Sequence, residues 1–227
     1  MCGRFTLTYN DPEELAAELG VTGGFPPRYR PRYNIAPTDA HWIVRMKHED
    51  REILPAKWGL VNSWVRDPKQ ARPQINARSE TAERSGAFRD AFKERHCVVP
   101  ADGFFEWTGP KEARRPLWFH RADGKPFVFA GLYESWQRTP GEWERTFTIL
   151  TTEPNAEMRA IHDRMPVVLE GDQVDEWLYT GEHRLAIPAG LLAPPRDGYF
   201  DVTPVSSRAN SVKNDDPEVL QPVAMLL

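Results

Sequence analysis

Cys2 carries the most distinctive chemistry in the chain. Methionine before a small residue is normally removed during synthesis. A chain that begins at Cys2 holds a free α-amine and a thiol on one residue. The amine titrates at about 7.7–8 and the thiol at about 8.5, so a useful fraction of each is nucleophilic at neutral pH. The amine condenses with an aldehyde to an imine, and the thiolate then closes a thiazolidine ring. Retention of Met1 would turn that nitrogen into an amide and forbid the ring. The plainer reading is a small buried hydrophobe near a terminus, because free Cys is among the most buried residue types.

Three other segments set reactive side chains in apolar or tightly turned sequence: Asn76-Ala77-Arg78-Ser79-Glu80-Thr81, Val99-Pro100-Ala101-Asp102-Gly103-Phe104-Phe105-Glu106-Trp107 and Ile161-His162-Asp163-Arg164-Met165-Pro166-Val167. The aromatic neighbours of Glu106 would desolvate a carboxylate and raise its pKa towards neutrality. Strand alternation turns Phe105 and Glu106 to opposite faces, one of which is then polar or functional. An outward-facing strand Glu is the alternative. An unperturbed histidine titrates at about 6.5, which makes His162 a residue type suited to proton transfer at neutral pH. A packed or surface His is the competing reading. Asn76 offers a donor and an acceptor without charge. It could cap the following helix, but Ser79 is the better cap, which frees Asn76.

Arg4 and Arg78 lie close in sequence to these groups, and a guanidinium can grip a phosphate with two bonds. Residues 65–95 hold eight Lys or Arg against five Asp or Glu. A solvated helix face explains much of that excess. Arg28, Arg30 and Arg32 form a second basic group in a Pro-rich loop. Trp64 lies among polar loop residues, where it would stack on a base or fold back on a sheet.

The elements that must position these groups read mostly as strands. Arg4-Phe5-Thr6-Leu7-Thr8 alternates, which would hold the chain start in a sheet. Asp11 and Pro12 open a short helix with Leu15, Ala16 and Leu19 on its apolar face and Gly20 at its end. Residues 41–47 and 51–61 read as strands, 62–77 as an exposed loop, and about 79–93 as helix broken near Gly86. Strands follow at Cys97-Val98-Val99, 104–107, 117–120, 127–135 and 146–151. Ala122-Asp123-Gly124-Lys125 reads as a hairpin turn. A helix over 172–179 is capped by Gly181, and 199–205 is a late strand. The last twenty residues are polar and peripheral until Val223-Ala224-Met225-Leu226-Leu227. The pattern predicts a single α+β domain over residues 1–227, with a mixed, barrel-like, mostly antiparallel β core and flanking helices.

With 29 Lys and Arg against 33 Asp and Glu, the net charge of −4 excludes binding nucleic acid over the whole surface; any such face must be local. Two separated Cys suggest a reducing compartment. The absence of a signal-like or membrane-length apolar run suggests a soluble cytoplasmic protein. No phosphate-loop or metal-ligand spacing occurs. Adjacent His96 and Cys97 are poorly spaced as ligands, and Cys97 fits a core strand.

In order along the chain, these segments resemble the SOS response-associated peptidase (SRAP) family. So do Asn34-Ile35-Ala36-Pro37-Thr38, Lys57-Trp58-Gly59-Leu60 and Ala130-Gly131-Leu132-Tyr133-Glu134. The resemblance covers nearly the whole chain. It departs where Val61-Asn62 follows Leu60, a position at which the family has an apolar residue and then Pro; the loop carrying Trp64 is therefore expected to be shaped differently.

The resemblance implies a sensor of abasic sites in single-stranded DNA that forms a thiazolidine crosslink through Cys2. It assigns Asn76, Glu106 and His162 to the reactive centre, with Glu106 as general acid and base. It assigns DNA contacts to Arg4, Arg78, Trp64, Asn34, Pro37 and Thr151. It implies a monomer that works without metal, cofactor or membrane, with the replication machinery as a further partner. Two other functions compete. A thiol peptidase, including one that only removes the residue before Cys2, would use Cys2 as nucleophile and His162 as base, and would turn over repeatedly. A non-catalytic single-strand binder would keep salt-sensitive binding without the thiol.

Overall fold

The structure, a computed structural model, describes residues 2–22, 25, 26 and 28–224. Met1 and the apolar end expected at Met225-Leu226-Leu227 lie outside the described residues. β1 (Phe5–Leu7) leads into α1 (Pro12–Glu18), and β2 (Arg32–Ile35), β3 (Ala40–Lys47) and β4 (Asp50–Trp58) follow. After a long connection come β5 (Asn76–Arg78), α2 (Ser79–Ala82) and α3 (Arg89–Glu94). Five strands succeed them: β6 (His96–Ala101), β7 (Gly103–Thr108), β8 (Arg115–Arg121), β9 (Phe127–Thr139) and β10 (Glu142–Thr152). The remaining elements are α4 (Ala156–Arg159), β11 (Met165–Pro166), β12 (Val168–Leu169), α5 (Asp172–Glu182) and β13 (Phe200–Pro204).

Strands β10, β4, β3, β6 and β9 pair in that order, and β9 pairs back with β10, so five strands close into a barrel. The β10–β4 pairing is parallel and the rest of the ring is antiparallel. Closure removes sheet edges that would otherwise need protection. An antiparallel sheet, ordered β13-β8-β7-β1-β2, packs beside it. The α+β reading with a mixed barrel-like core therefore holds.

Why the chain start sits in the second sheet follows from its partners. β1 pairs with β7 through Phe5–Phe104 and Thr6–Gly103, and with β2 through Phe5–Ile35. Phe5 is fully buried, edge-on to His41, Trp58 and Phe129. Buried Asp102 accepts from the Thr6 hydroxyl at 2.6 Å and the Thr8 hydroxyl at 2.7 Å, and its backbone N–H donates to the Thr6 carbonyl at 3.0 Å. Gly103 lets Trp118 cross β7, because a Cβ there would stand 2.0 Å from the indole nitrogen.

Several local expectations change. The turn at 122–125 joins β8 to β9, but these strands do not pair. β8 bonds to β7 and β13, whereas β9 bonds to β6, β10 and β12, so the turn carries the chain from sheet to barrel. Gly181 lies inside α5, where a Cβ would come within 2.4 Å of the His96 ring, so it serves close packing rather than capping. Arg78 rather than Ser79 occupies the N-cap of α2, and no side chain caps that helix. The helical stretch 79–93 is two short helices, and the loop 62–77 ends in β5.

The C-terminal segment is not peripheral. Val205, Ala209 and Val219 bury against Phe105 in a second small core. Both faces of β7 are thereby covered, and Phe104, Phe105 and Glu106 are all buried. No helix among the described residues is long and apolar enough to cross a membrane.

Asp102 is the polar joint between β1 and β7. Its replacement by Ala leaves the Thr8 hydroxyl without this acceptor, takes the shorter of two acceptors from the Thr6 hydroxyl, and is expected to destabilise the fold by about 3 kcal/mol in urea unfolding at neutral pH. A loss under about 1 kcal/mol would show that the joint is dispensable.

Candidate active site

Continuing the antiparallel register of β1 and β7 beyond Phe5 carries Gly3 and Cys2 alongside Glu106 and Trp107. The Phe105 N–H donates to the Arg4 carbonyl at 2.9 Å and fixes that approach. Cys2 is 0% exposed and belongs to the main core, as the plainer reading of it anticipated. Burial pushes its thiol pKa well above the usual range, and the neighbouring Glu106 carboxylate pushes it further. This runs against the expectation of a readily ionised thiol, since both burial and the Glu106 charge disfavour the thiolate.

Asn76 comes from β5, which lies parallel to β10 with Asn76 opposite Ile149 and Arg78 opposite Thr151. Its amide nitrogen donates to the Cys2 carbonyl at 2.8 Å. Its carbonyl oxygen is buried without a partner among the described residues. Asn76 thus holds the backbone of Cys2 and keeps one acceptor unused. An unpaired buried carbonyl is costly unless something else occupies it.

Glu106 is 5% exposed. Desolvation raises its pKa, while the charges of His162 and Arg114 pull it down. Alternation along β7 puts Glu106 on the same face as Phe104, towards the main core, and Phe105 on the face covered by the C-terminal segment. The sequence expectation of a desolvated carboxyl is met, although the opposite face is apolar and structural.

His162 stands on the loop after α4, held by its N–H to the Met158 carbonyl at 2.8 Å. It lies near enough to Glu106 for the two charges to interact. Four separate segments therefore converge on one place, with Cys2 joined to Asn76 by a hydrogen bond and to Glu106 through its field, and Glu106 linked in turn to His162. Among the described residues there is no cluster of three His, Cys, Asp or Glu able to hold a metal ion.

The expected DNA-contacting residues divide. Arg78 is exposed at the junction of β5 and α2, and Pro37 is half-buried next to exposed Thr38. Thr38 has φ of 75°, a strained value for a β-branched residue, and its N–H donates to the Trp58 carbonyl at 2.8 Å. Trp64 is 62% exposed and does not fold back on the sheet. Its neighbour Val65 is pinned through its carbonyl to the Trp136 indole at 2.8 Å, so the loop is anchored while the ring projects. Trp64 borders a cleft of about 620 Å³ together with Arg66 and Arg72.

Three others are committed to the protein itself. Asn34 is fully buried, and its amide donates to the carbonyls of Ser211 at 3.0 Å and Asn214 at 2.8 Å, so its side chain is engaged within the protein. Thr151 is also fully buried, with its hydroxyl directed at the Ala77 carbonyl. Arg4 bonds to the Asn34 carbonyl oxygen at 2.7 Å and the Ala209 carbonyl at 3.0 Å, over the face of Trp107. It still lines a cleft of about 560 Å³ with Trp107, Glu112, Arg114, Ser207 and Asn210.

In the second basic group, Arg32 is neutralised between Asp39 and Asp215, and Arg30 also reaches Asp215 at 3.5 Å. That loop is structural more than phosphate-seeking. Sequence reasoning missed Arg114, which lies near Glu106, and Arg164, whose contacts bind the His162 loop to α2 and β10. The position of Arg164 within the His162 segment was the one available signal.

Comparison with known proteins follows the same outline. The family model described as SOS response associated peptidase (SRAP) matches residues 1–212. The chain is 36% identical over 222 residues to the Bacillus subtilis protein named abasic site processing protein YoaM, covering 97% of each chain. It is 31% identical over 229 residues to the Escherichia coli protein named abasic site processing protein YedK, covering 98% of this chain and 100% of the other. A crystal structure of a Bacteroides thetaiotaomicron protein superposes with a TM-score of 0.82 at 23% identity, over 98% of this chain and 100% of that one, and so shares the fold. The barrel, the buried Cys2 and the three side chains gathered around it are thus those of a chain that belongs to the SRAP family.

Proposed function

We propose that this protein captures abasic sites in single-stranded DNA as a thiazolidine formed by Cys2 once Met1 has been removed. The reading rests on one observation above all: the Asn76 amide grips the Cys2 carbonyl at 2.8 Å while the buried Glu106 carboxyl lies beside the same residue. The relatives named abasic site processing proteins support the class of lesion.

The chemistry follows from the environment. Opening of the deoxyribose hemiacetal moves the proton of the C1 hydroxyl to a base and delivers a proton to the ring oxygen. Glu106 and His162 supply the two partners, since both lie where the chain begins and can each hold or release a proton. The Cys2 amine adds to the aldehyde carbon, and loss of water, aided by protonated Glu106, leaves the imine. The thiol sulfur then adds to the imine carbon, its proton passes to the nitrogen, and the ring is closed. The charge of the chain terminus already favours ionisation of both the thiol and Glu106 against the burial that opposes it. Removing one residue would place that amine on Cys2 itself and so create the nucleophile. Arg78, Trp64 and the Arg4–Trp107–Arg114 cleft present the flanking phosphates and bases.

Intact mass measured before and after mixing with an oligonucleotide carrying an abasic site tests this directly. The expected result is loss of Met1 and a heat-stable adduct at the summed mass less one water, absent in Cys2→Ala. Asn76→Ala is expected to slow adduct formation by about tenfold, the scale of one well-placed hydrogen bond. A processed protein that yields no adduct, or that repeatedly cleaves a peptide, would overturn the reading.

Keeping Glu106 buried has a measurable cost. Its folded pKa is raised, so the protonated form favours the fold and that stabilisation is lost as pH rises from the unfolded carboxyl's range through the raised value. Glu106→Gln is therefore expected to match the wild type in acid and to become the more stable protein as pH rises, levelling off above the folded pKa. Urea unfolding across the pH range reads the difference. A constant offset at every pH would show that ionisation of Glu106 is not what the fold opposes.

A further inference from the structure

Arg164 sits two residues after His162, on the loop leading to β11. Its guanidinium makes a fork with Glu80 on α2, Nη1 to Oε1 at 2.6 Å and Nη2 to Oε2 at 2.8 Å. The same Nη2 donates to the Thr151 carbonyl on β10 at 2.6 Å. The Arg164 side chain is 12% exposed, whereas the Glu80 carboxylate it grips is half-exposed. Three elements are thereby tied to one side chain.

The backbone N–H of Arg164 points at the His162 ring, with a distance to Nδ1 of 3.0 Å. Nδ1 also lies 2.9 Å from an oxygen of Asp163. These contacts exclude one another in neutral imidazole. A nitrogen that accepts from the amide has no proton to give the carboxylate. The Asp163 side chain is 83% exposed, so water screens its attraction. The Arg164 amide belongs to a residue immobilised by its own side chain, and from the other direction His162 is held by its N–H to the Met158 carbonyl at 2.8 Å. The fixed donor prevails over the screened acceptor.

We infer that the Glu80–Arg164–Thr151 clamp positions His162 and selects its Nε2–H tautomer, with Nδ1 as the acceptor. Arg164 and Glu80 are positioning residues that act through the imidazole. The tautomer stands on geometry alone, whereas its use in proton transfer at the lesion rests on the function proposed above. Substituting the half-exposed Glu80 by Gln leaves a neutral amide that cannot match the guanidinium fork. The amide of residue 164 then loses its fixed direction, and Asp163 competes for the ring.

Imidazole proton–nitrogen spectra of the full-length protein, labelled with ¹⁵N-histidine, test the inference at mildly alkaline pH. The His162 signals are identified by their absence in His162→Gln. The wild type is expected to show well-separated ring nitrogens with the proton on Nε2. Glu80→Gln and Arg164→Lys are expected to bring the two shifts together, at unchanged melting temperature in Glu80→Gln. Adduct formation is expected to slow by roughly 2- to 5-fold in Glu80→Gln, in proportion to the competent tautomer. A proton on Nδ1 in the wild type, or an unaltered tautomer in both variants, would overturn the inference. Merged nitrogen signals in a protein that forms no adduct under any condition would uphold the clamp and reject the crosslinking function.

Discussion

The structure depends on burying the beginning of the chain. Strand β1 is only three residues long, yet it lies between β7 and β2 with Phe5 fully enclosed. Apolar contact alone would leave its register weakly specified, because a short strand has few pairs to fix it. Asp102 supplies the specificity by accepting from the hydroxyls of Thr6 and Thr8 on successive pleats of the chain start. Burial pushes the pKa of that carboxyl up, and the hydrogen bonds from Thr6 and Thr8 draw it back. With the register set, Cys2 can arrive in only one place, between Asn76 and Glu106.

Charge is distributed on the same economical principle. The protein is acidic overall, and many of its arginines are engaged with carboxylates. Arg32, Arg95 and Arg164 each hold loops or strands together through such pairs. Around the candidate site, positive charge comes chiefly from Arg78, Arg114 and the half-buried Arg4. A local field of this kind orients an anionic strand without making the whole surface adhesive.

Most strands were legible in the sequence from their own pattern, whereas the candidate site was legible chiefly through resemblance. Cys2 alone reads as a small core residue, and Asn76, Glu106 and His162 are singled out because each lies in a segment that resembles the SRAP family. The barrel strands stood out because apolar residues alternate or cluster in them, as in Val98-Val99 and Phe127-Val128-Phe129. What stayed hidden depends on partners far away in the chain. Asn34 looked like a polar loop residue available to a ligand, but its carbonyl oxygen and amide are consumed by Arg4 and by residues 211 and 214. The turn at 122–125 had the right residues for a hairpin, yet hairpin pairing is decided by what β8 and β9 find elsewhere. The C-terminal segment looked peripheral because it is polar. Its contribution comes through backbone carbonyls and three small apolar side chains, which composition does not register.

That last arrangement sets an order of events in time. Arg4 and Asn34 complete their hydrogen bonds only with carbonyls from residues 209–214, and Phe105 is covered only by residues from 205 onward. A chain emerging from the ribosome lacks these partners until almost all of it has been made, and at about 5–20 residues per second that interval lasts on the order of ten seconds or more. Throughout it, the leading residues remain accessible. Once the tail docks, the Phe105 face of β7 is covered and Arg4 is held at the Ala209 carbonyl. The removal of Met1 that the proposed function requires would fall in that period, which the late docking of the C-terminal segment prolongs.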